Sequence, residues 1–109
     1  MNPGELDRRL VIEAPVEAAD DAGGVVRAYE DAATVWASVQ PEAMRAETEA
    51  DATGAAVTHR IVMRAGRDIT TRHRLRDGAQ RYRIIAVREW RERRAGSRFL
   101  DIRAELIAD

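Results

Sequence analysis

A chain of 109 residues is the length of one domain, and dividing it would leave halves too small to bury much apolar surface. With 45% hydrophobic and 34% charged residues and a formal net charge of -1, the composition is that of an ordinary folded domain, set apart from disordered and membrane-embedded chains. Cysteine is absent and all 18 basic residues are arginine, which excludes disulfides, thiolate nucleophiles, cysteine-bound zinc, Schiff-base lysines and the lysine of a phosphate-binding loop.

Arginine without lysine, beside about twenty alanines, fits a GC-rich coding bias or a selection for guanidinium geometry. No apolar run reaches the roughly eighteen residues of a membrane span, and the opening Met1-Asn2-Pro3-Gly4-Glu5 lacks the basic and apolar regions of a signal peptide. The expectation is a product that stays in the cytoplasm unless it leaves inside an assembly. The near-neutral total conceals a split. Residues 1–55 hold 4 Arg against 12 Asp and Glu, a balance of -8, and residues 56–109 hold 14 Arg against 7, a balance of +7.

In chain order, the first candidate strands are Arg9–Ala14 and Val25–Tyr29. Between them Asp20-Asp21-Ala22-Gly23-Gly24 reads as a hairpin connection in which glycine supplies a positive φ. Thr34–Gln40 follows, with Val35, Ala37 and Val39 on one face. Pro15 and Pro41 cannot donate to a ladder and mark strand ends. Pro41–Gly54 is rich in helix formers, opens on a proline suited to a first helical turn, carries Glu42 early and closes on glycine. It predicts a short helix or flexible helical loop whose only apolar residues are Met44 and alanines. Ala55–Arg64 sets Val57, Ile61 and Met63 against Thr58, Arg60 and Arg64, a strand with one wet face. Arg72–Asp77 is a weaker strand, with only His73 and Leu75 on its apolar side, and Asp77-Gly78 is a second hairpin turn. In Arg81–Trp90 the run Ile84-Ile85-Ala86-Val87 predicts a strand covered on both faces. Arg98–Ala108 alternates cleanly, with Leu100, Ile102, Ala104 and Leu106 opposed to Asp101, Arg103 and Glu105. About seven strands with regular turns predict one all-β domain over residues 1–109, a small antiparallel barrel or sandwich with residues 41–54 as its long connection.

Candidates for chemistry are few. His59 shares strand parity with Val57, Ile61 and Met63, the position of a partly buried imidazole rather than of a ligand or base. His73 stands among Arg72, Arg74 and Arg76, a setting that disfavours a divalent cation. No HExxH, GxSxG or GxxxxGK pattern exists, and Asp20-Asp21 and Glu30-Asp31 occupy turn-like positions suited to solvated charge. The residues point to no enzyme, cofactor or metal. The basic half offers more, with 12 Arg against 4 acidic residues between Arg64 and Arg98. Arg72, Arg74 and Arg76 would form a phosphate-tracking row, and Tyr82, Trp90 and Phe99 would offer stacking surfaces, the features of a stand-alone small-barrel nucleic-acid-binding protein. Against it stand the five aromatics of the whole chain and the lack of RNP-type or helix-turn-helix patterns. Arginine rows on outer strand faces are also commonly solvated or paired to a neighbouring strand. Trp36 is out of phase with Val35, Ala37 and Val39, so it points away from the core. Either the N-terminal segment or a loop covers it, or it is a contact between subunits.

The ordered motifs carry a resemblance. Arg8-Arg-Leu-Val-Ile-Glu-Ala-Pro-Val16, Asp21-Ala-Gly-Gly-Val-Val26, Tyr29-Glu-Asp-Ala-Ala-Thr-Val-Trp-Ala-Ser-Val-Gln-Pro41, Thr58-His-Arg-Ile-Val-Met-Arg64, Ile69, and Asp77-Gly-Ala-Gln-Arg-Tyr-Arg-Ile-Ile-Ala-Val87 follow one another in order and spacing. In this the chain resembles the head-tail joining, or head-closure, proteins of long-tailed phages and gene transfer particles, the stopper and adaptor subunits. Tyr29 departs from the tryptophan that many relatives carry. The resemblance implies a small β-barrel subunit in a dodecameric ring of the virion neck, assembled in the host cytoplasm. Its neighbours would be a portal or adaptor protein above and a tail terminator or tail-tube protein below. Packaged double-stranded DNA would lie in the lumen without sequence-specific binding.

The same resemblance places the long connection toward the channel, here Glu42, Arg45, Glu47, Glu49 and Asp51, a balance of -3 per subunit. A negative lumen repels the phosphate backbone, so closure would be steric rather than adhesive. Trp36, Arg72, Arg74 and Arg76 are the candidate contacts with other subunits or partners. The opposed halves suggest a head-to-tail ring contact that pairs an acidic surface with a basic one and weakens with salt.

Overall fold

The computed structural model describes residues 6–19, 21–42, 57–94 and 96–108. Six strands follow in order: β1 (Arg8–Ala19), β2 (Val25–Pro41), β3 (His59–Arg64), β4 (Arg74–Asp77), β5 (Gln80–Arg91) and β6 (Arg98–Ala108). They close into an antiparallel barrel in the order β1-β2-β3-β6-β5-β4, with β4 returning to β1. The all-β barrel expected from the alternation is therefore the fold.

The interior is filled. Leu10, Ile12, Ala37, Ile61, Met63, Leu75, Tyr82, Ile84, Leu100, Ile102 and Ala104 form the buried core, each on the inward parity of its strand. Val35, Val39 and Leu106 pack against it, so the faces expected for β2 and β6 are the faces observed. Among small barrels such an interior leaves no lumen. A second, smaller cluster lies on the outside. Val62, out of phase with Ile61 and Met63, packs with Leu6 and Phe99, and Trp90 stacks on Phe99 at 4.8 Å. The outer face of β3 is thus covered at Val62, where a wet face was expected.

Several local expectations change, each for a physical reason. Val25–Tyr29 and Thr34–Gln40 belong to one 17-residue strand, and Glu30-Asp31, expected at a turn, lies inside it. The interruption in the apolar pattern is a register shift opposite Ile12 and Glu13, where Ala32 is the extra residue of β2. Pro15 sits within β1 opposite Tyr29 and does not end the strand. It is tolerated because β1 pairs with β4 only over Val11–Glu13, which leaves that edge open beyond Glu13. In β5 the run Ile84–Val87 does not mark burial on both faces. Ile84 faces Ala104 and Ala86 faces Arg103, so Ile85 is an added residue that resets the parity and brings Val87 inward while Ala86 is exposed. Arg72 lies in the turn before β4, and β3 starts at His59 rather than Ala55. Pro41 does end a strand, as the last residue of β2, and is not the first turn of a helix. The helical segment expected over Pro41–Gly54 lies, from residue 43 onward, outside the described residues.

The two hairpins read from glycine are present, with Gly23 at φ 87° in the β1–β2 turn and Gly78 at φ 62° between β4 and β5. The β1–β2 hairpin is the longest feature of the molecule. Beyond Glu13 and Asp31, β1 and β2 pair with each other alone, because β3 joins β2 only over Ala37–Pro41 and β4 joins β1 only over Val11–Glu13. The result is a two-stranded arm that extends the molecule to 55 Å against 30 and 23 Å in the other directions.

Candidate functional site

Part of the charge split of the sequence is neutralised inside the subunit. β4 lies beside β1, which brings the arginine row of residues 72–76 against the acidic N-terminal strands. Glu13, buried although charged, accepts a hydrogen bond from Arg74 Nε at 3.2 Å and another from the Arg76 guanidinium at 2.8 Å. Arg76 also donates to both Asp31 oxygens, at 2.9 and 3.0 Å, and Arg72 approaches Glu17 at 3.7 Å. The Arg74 guanidinium lies 3.6 Å from the Tyr29 ring centroid. Arg72, Arg74 and Arg76 thus lie together on one face, and each guanidinium has a carboxylate within ion-pair distance.

The Arg76 hydrogen bonds hold the Asp31 carboxyl below its ordinary range. Since the folded-state value lies under the unfolded one, this pairing stabilises the fold above the usual carboxylate range and is lost as pH falls through the folded value. The stability difference between the native chain and Asp31→Asn is expected to be constant above about pH 5 and to shrink below about pH 4. Urea unfolding of both proteins across that range measures it, and a difference that grows on acidification would contradict the pairing.

The aromatic groups expected to stack on bases are not available to them. Phe99 and Tyr82 are buried, and Trp90 is half-buried against Phe99. The Tyr82 hydroxyl donates to Gln80 Oε1 at 3.1 Å, and burial raises its pKa. His59 is half-buried, packs edge-on against Tyr82 at 5.0 Å and lies 2.9 Å from the Thr58 hydroxyl. Burial lowers its pKa and favours the neutral ring. His73 Nδ1 accepts a hydrogen bond from the Thr70 amide, which fixes the loop before β4. Among the described residues, no three His, Asp or Glu side chains converge to hold a metal ion.

Two regions among the described residues are of interest for contacts with other molecules. The first is the mouth of the long connection, where the Glu42 amide donates to the Thr58 carbonyl at 2.9 Å and the Glu42 carboxylate pairs with Arg103. Arg60 forks onto Asp101 beside it, at 3.1 and 3.0 Å. Of the channel-facing candidates only Glu42 is a described residue; Arg45, Glu47, Glu49 and Asp51 lie outside them.

The second region is centred on Trp36, which is 53% exposed. The Arg9 guanidinium lies 5.1 Å from its ring centroid. A groove of about 480 Å³ runs beside it, lined by Leu6, Thr34, Val35, Arg64, Ala65 and Arg67. Among the described residues Arg9, Arg64 and Arg67 have no carboxylate within ion-pair distance. The broken parity of Trp36 signalled this surface in the sequence. Arg64 and Arg67 carried no such signal, because the turn that brings them to Trp36 is set by tertiary packing.

Comparison with known proteins agrees with this architecture. Residues 1–107 match the family described as phage head completion protein. A chain of the virion of a native gene transfer agent particle superposes with a TM-score of 0.61 at 30% identity, over 95% of this chain and 97% of that one. The solution structure of protein SF1141 from Shigella flexneri 2a superposes with a TM-score of 0.61 at 27% identity, over 94% and 96%. No curated protein matches in sequence. With a family match across almost its whole length and a virion protein superposing over nearly all of both chains, the chain belongs to the phage head completion protein family.

Proposed function

We propose that this protein is a structural subunit of the virion neck, without catalytic activity, which forms a ring between the portal or adaptor and the tail and closes the DNA channel after packaging. The likeness to a chain of the gene transfer agent virion, over nearly the full length of both, carries this reading. The filled barrel supports it: DNA cannot pass through one subunit, so any channel is enclosed by several. Dodecameric symmetry follows the ring implied by the resemblance.

The connection between β2 and β3 is the closing element in this proposal. With Glu42 engaged by Arg103, its remaining charges are Glu47, Glu49 and Asp51 against Arg45, a balance of -2 rather than -3 per subunit. A wall of that sign does not hold phosphate, so the segment blocks the channel by its bulk. A cryo-EM map of the neck is the test. It is expected to show a ring of this chain with residues 43–56 directed to the axis; a single copy, or connections facing outward, would overturn it.

The alternative of a stand-alone nucleic-acid-binding barrel has lost its main supports. Its stacking residues are buried or half-buried, and its arginine row is paired with Glu13, Glu17 and Asp31.

A further inference from the structure

Val25, 68% exposed, and Trp36, 53% exposed, are large apolar side chains of the same strand left in water in unlike settings. Val25 begins β2 at the tip of the arm, beside a turn in which Asp21 is exposed and Gly23 takes a positive φ. Trp36 walls a groove lined by Arg64 and Arg67, with the Arg9 guanidinium beside its indole. One place is a slender projection with an apolar and an acidic group; the other is a concavity with an aromatic wall and three cations. We propose that the tip of the β1–β2 arm of one copy seats in the Trp36 groove of the next copy, with Val25 against the indole and Asp21 toward the arginines.

The geometry excludes an internal version of this contact. Trp36 lies eleven positions after Val25 along extended strand, about 36 Å at the usual rise, so the arm cannot fold back into the groove of its own subunit. In the proposed ring the contact is heterologous, joining two different surfaces of identical chains, the arrangement that closes into a ring when the rotation permits. Backbone hydrogen bonding favours it as well. On the side of β2 away from β1, Thr34–Trp36 have no strand beside them, because pairing with β3 starts at Ala37, and an incoming strand can add there. A bare two-stranded ribbon is marginally stable in water, and docking buries it. The inference rests on the ring proposed above. It differs from a contact through Arg72, Arg74 and Arg76, whose charges are already paired within the subunit.

Because the chain has no cysteine, introduced thiols report the contact cleanly. Particles carrying the double substitution Val25→Cys and Trp36→Cys, treated with a short bis-maleimide, are expected to give a ladder of dimers and higher multimers. Co-assembled singly substituted chains should stop at dimers, and either single substitution alone should stay monomeric. Monomers only from the double variant, or dimers from one single variant alone, would overturn the contact. A second arm does not depend on thiols. Replacing Arg64 and Arg67 with Glu is expected to reduce incorporation into particles by about tenfold, and adding Asp21→Arg should restore it, as for close charge pairs across an interface. Undiminished incorporation, or a loss that Asp21→Arg leaves unchanged, would also overturn it. Native mass spectrometry of the neck complex separates the two levels. A multi-copy ring without a ladder removes the arm-to-groove contact and leaves the ring, whereas a single copy removes both.

Discussion

Deleting residues 44–52 is expected to yield particles that assemble heads and tails yet lose their DNA. The barrel should survive the deletion, because the ends of the connection are already joined. The Glu42 amide bonds the Thr58 carbonyl, and Pro41 pairs with His59 in the adjoining ladder. Ala43, Thr53, Gly54, Ala55, Ala56 and Val57 would remain between Glu42 and Thr58, a length ordinary for a connection between strands, and shortening a loop lowers its closure entropy cost only slightly. In the proposed neck ring the two parts of the chain are therefore separable: one would build the ring and the other would obstruct it. Nuclease sensitivity of the packaged DNA in purified particles measures the effect, and DNA-tight particles from the deletion would refute steric closure. Changing Glu47, Glu49 and Asp51 to their amides gives the complementary result. Retained DNA would show that bulk, and not charge, does the blocking.

Leu75→Ala is expected to destabilise the subunit by about 2–5 kcal/mol, the usual cost of emptying a fully buried leucine site. The position matters because β4 is four residues long and is the only strand that joins β1 to β5. Ile12, Leu75 and Tyr82 form one buried row across the three strands, with Leu75 opposite both neighbours. Removing its side chain leaves a cavity in the middle of the closing seam, which Glu13, Arg74 and Arg76 then hold from outside alone. A fall in melting temperature of roughly 10 °C or more is expected for a domain of this size. A loss below about 1 kcal/mol would show that the seam repacks without Leu75.

How far the sequence could be read depended on whether a signal was local. β6 was legible because Leu100, Ile102, Ala104 and Leu106 keep one parity against a single core. β5 was not, because the bulge at Ile85 changes the parity halfway along, and four consecutive apolar residues look the same whether a strand is covered twice or bulged once. The acidic pair Glu30-Asp31 imitated a turn, although one member pairs with Arg76, 45 residues away. The same separation hid the fate of the arginine row. Glu13 and Arg74 are 61 positions apart, and only the closure of β4 onto β1 makes them neighbours. Trp36, by contrast, was legible as a surface residue, since a single broken parity inside a regular strand is a local fact.

The open edges of the arm bear on the life of the subunit before assembly. Closing the barrel leaves unpaired backbone donors and acceptors mainly along the projecting ribbon, the part most able to recruit strands indiscriminately and grow fibres. Pro15 removes one donor from β1, the bulge at Ala32 adds twist, and Glu17, Glu30 and Asp31 place charge along the ribbon. Such an edge is a poor template for an unending stack but can still enter a shaped, oppositely charged recess. In the ring proposed above, such edges would let separate copies persist without clumping until a matching recess is met.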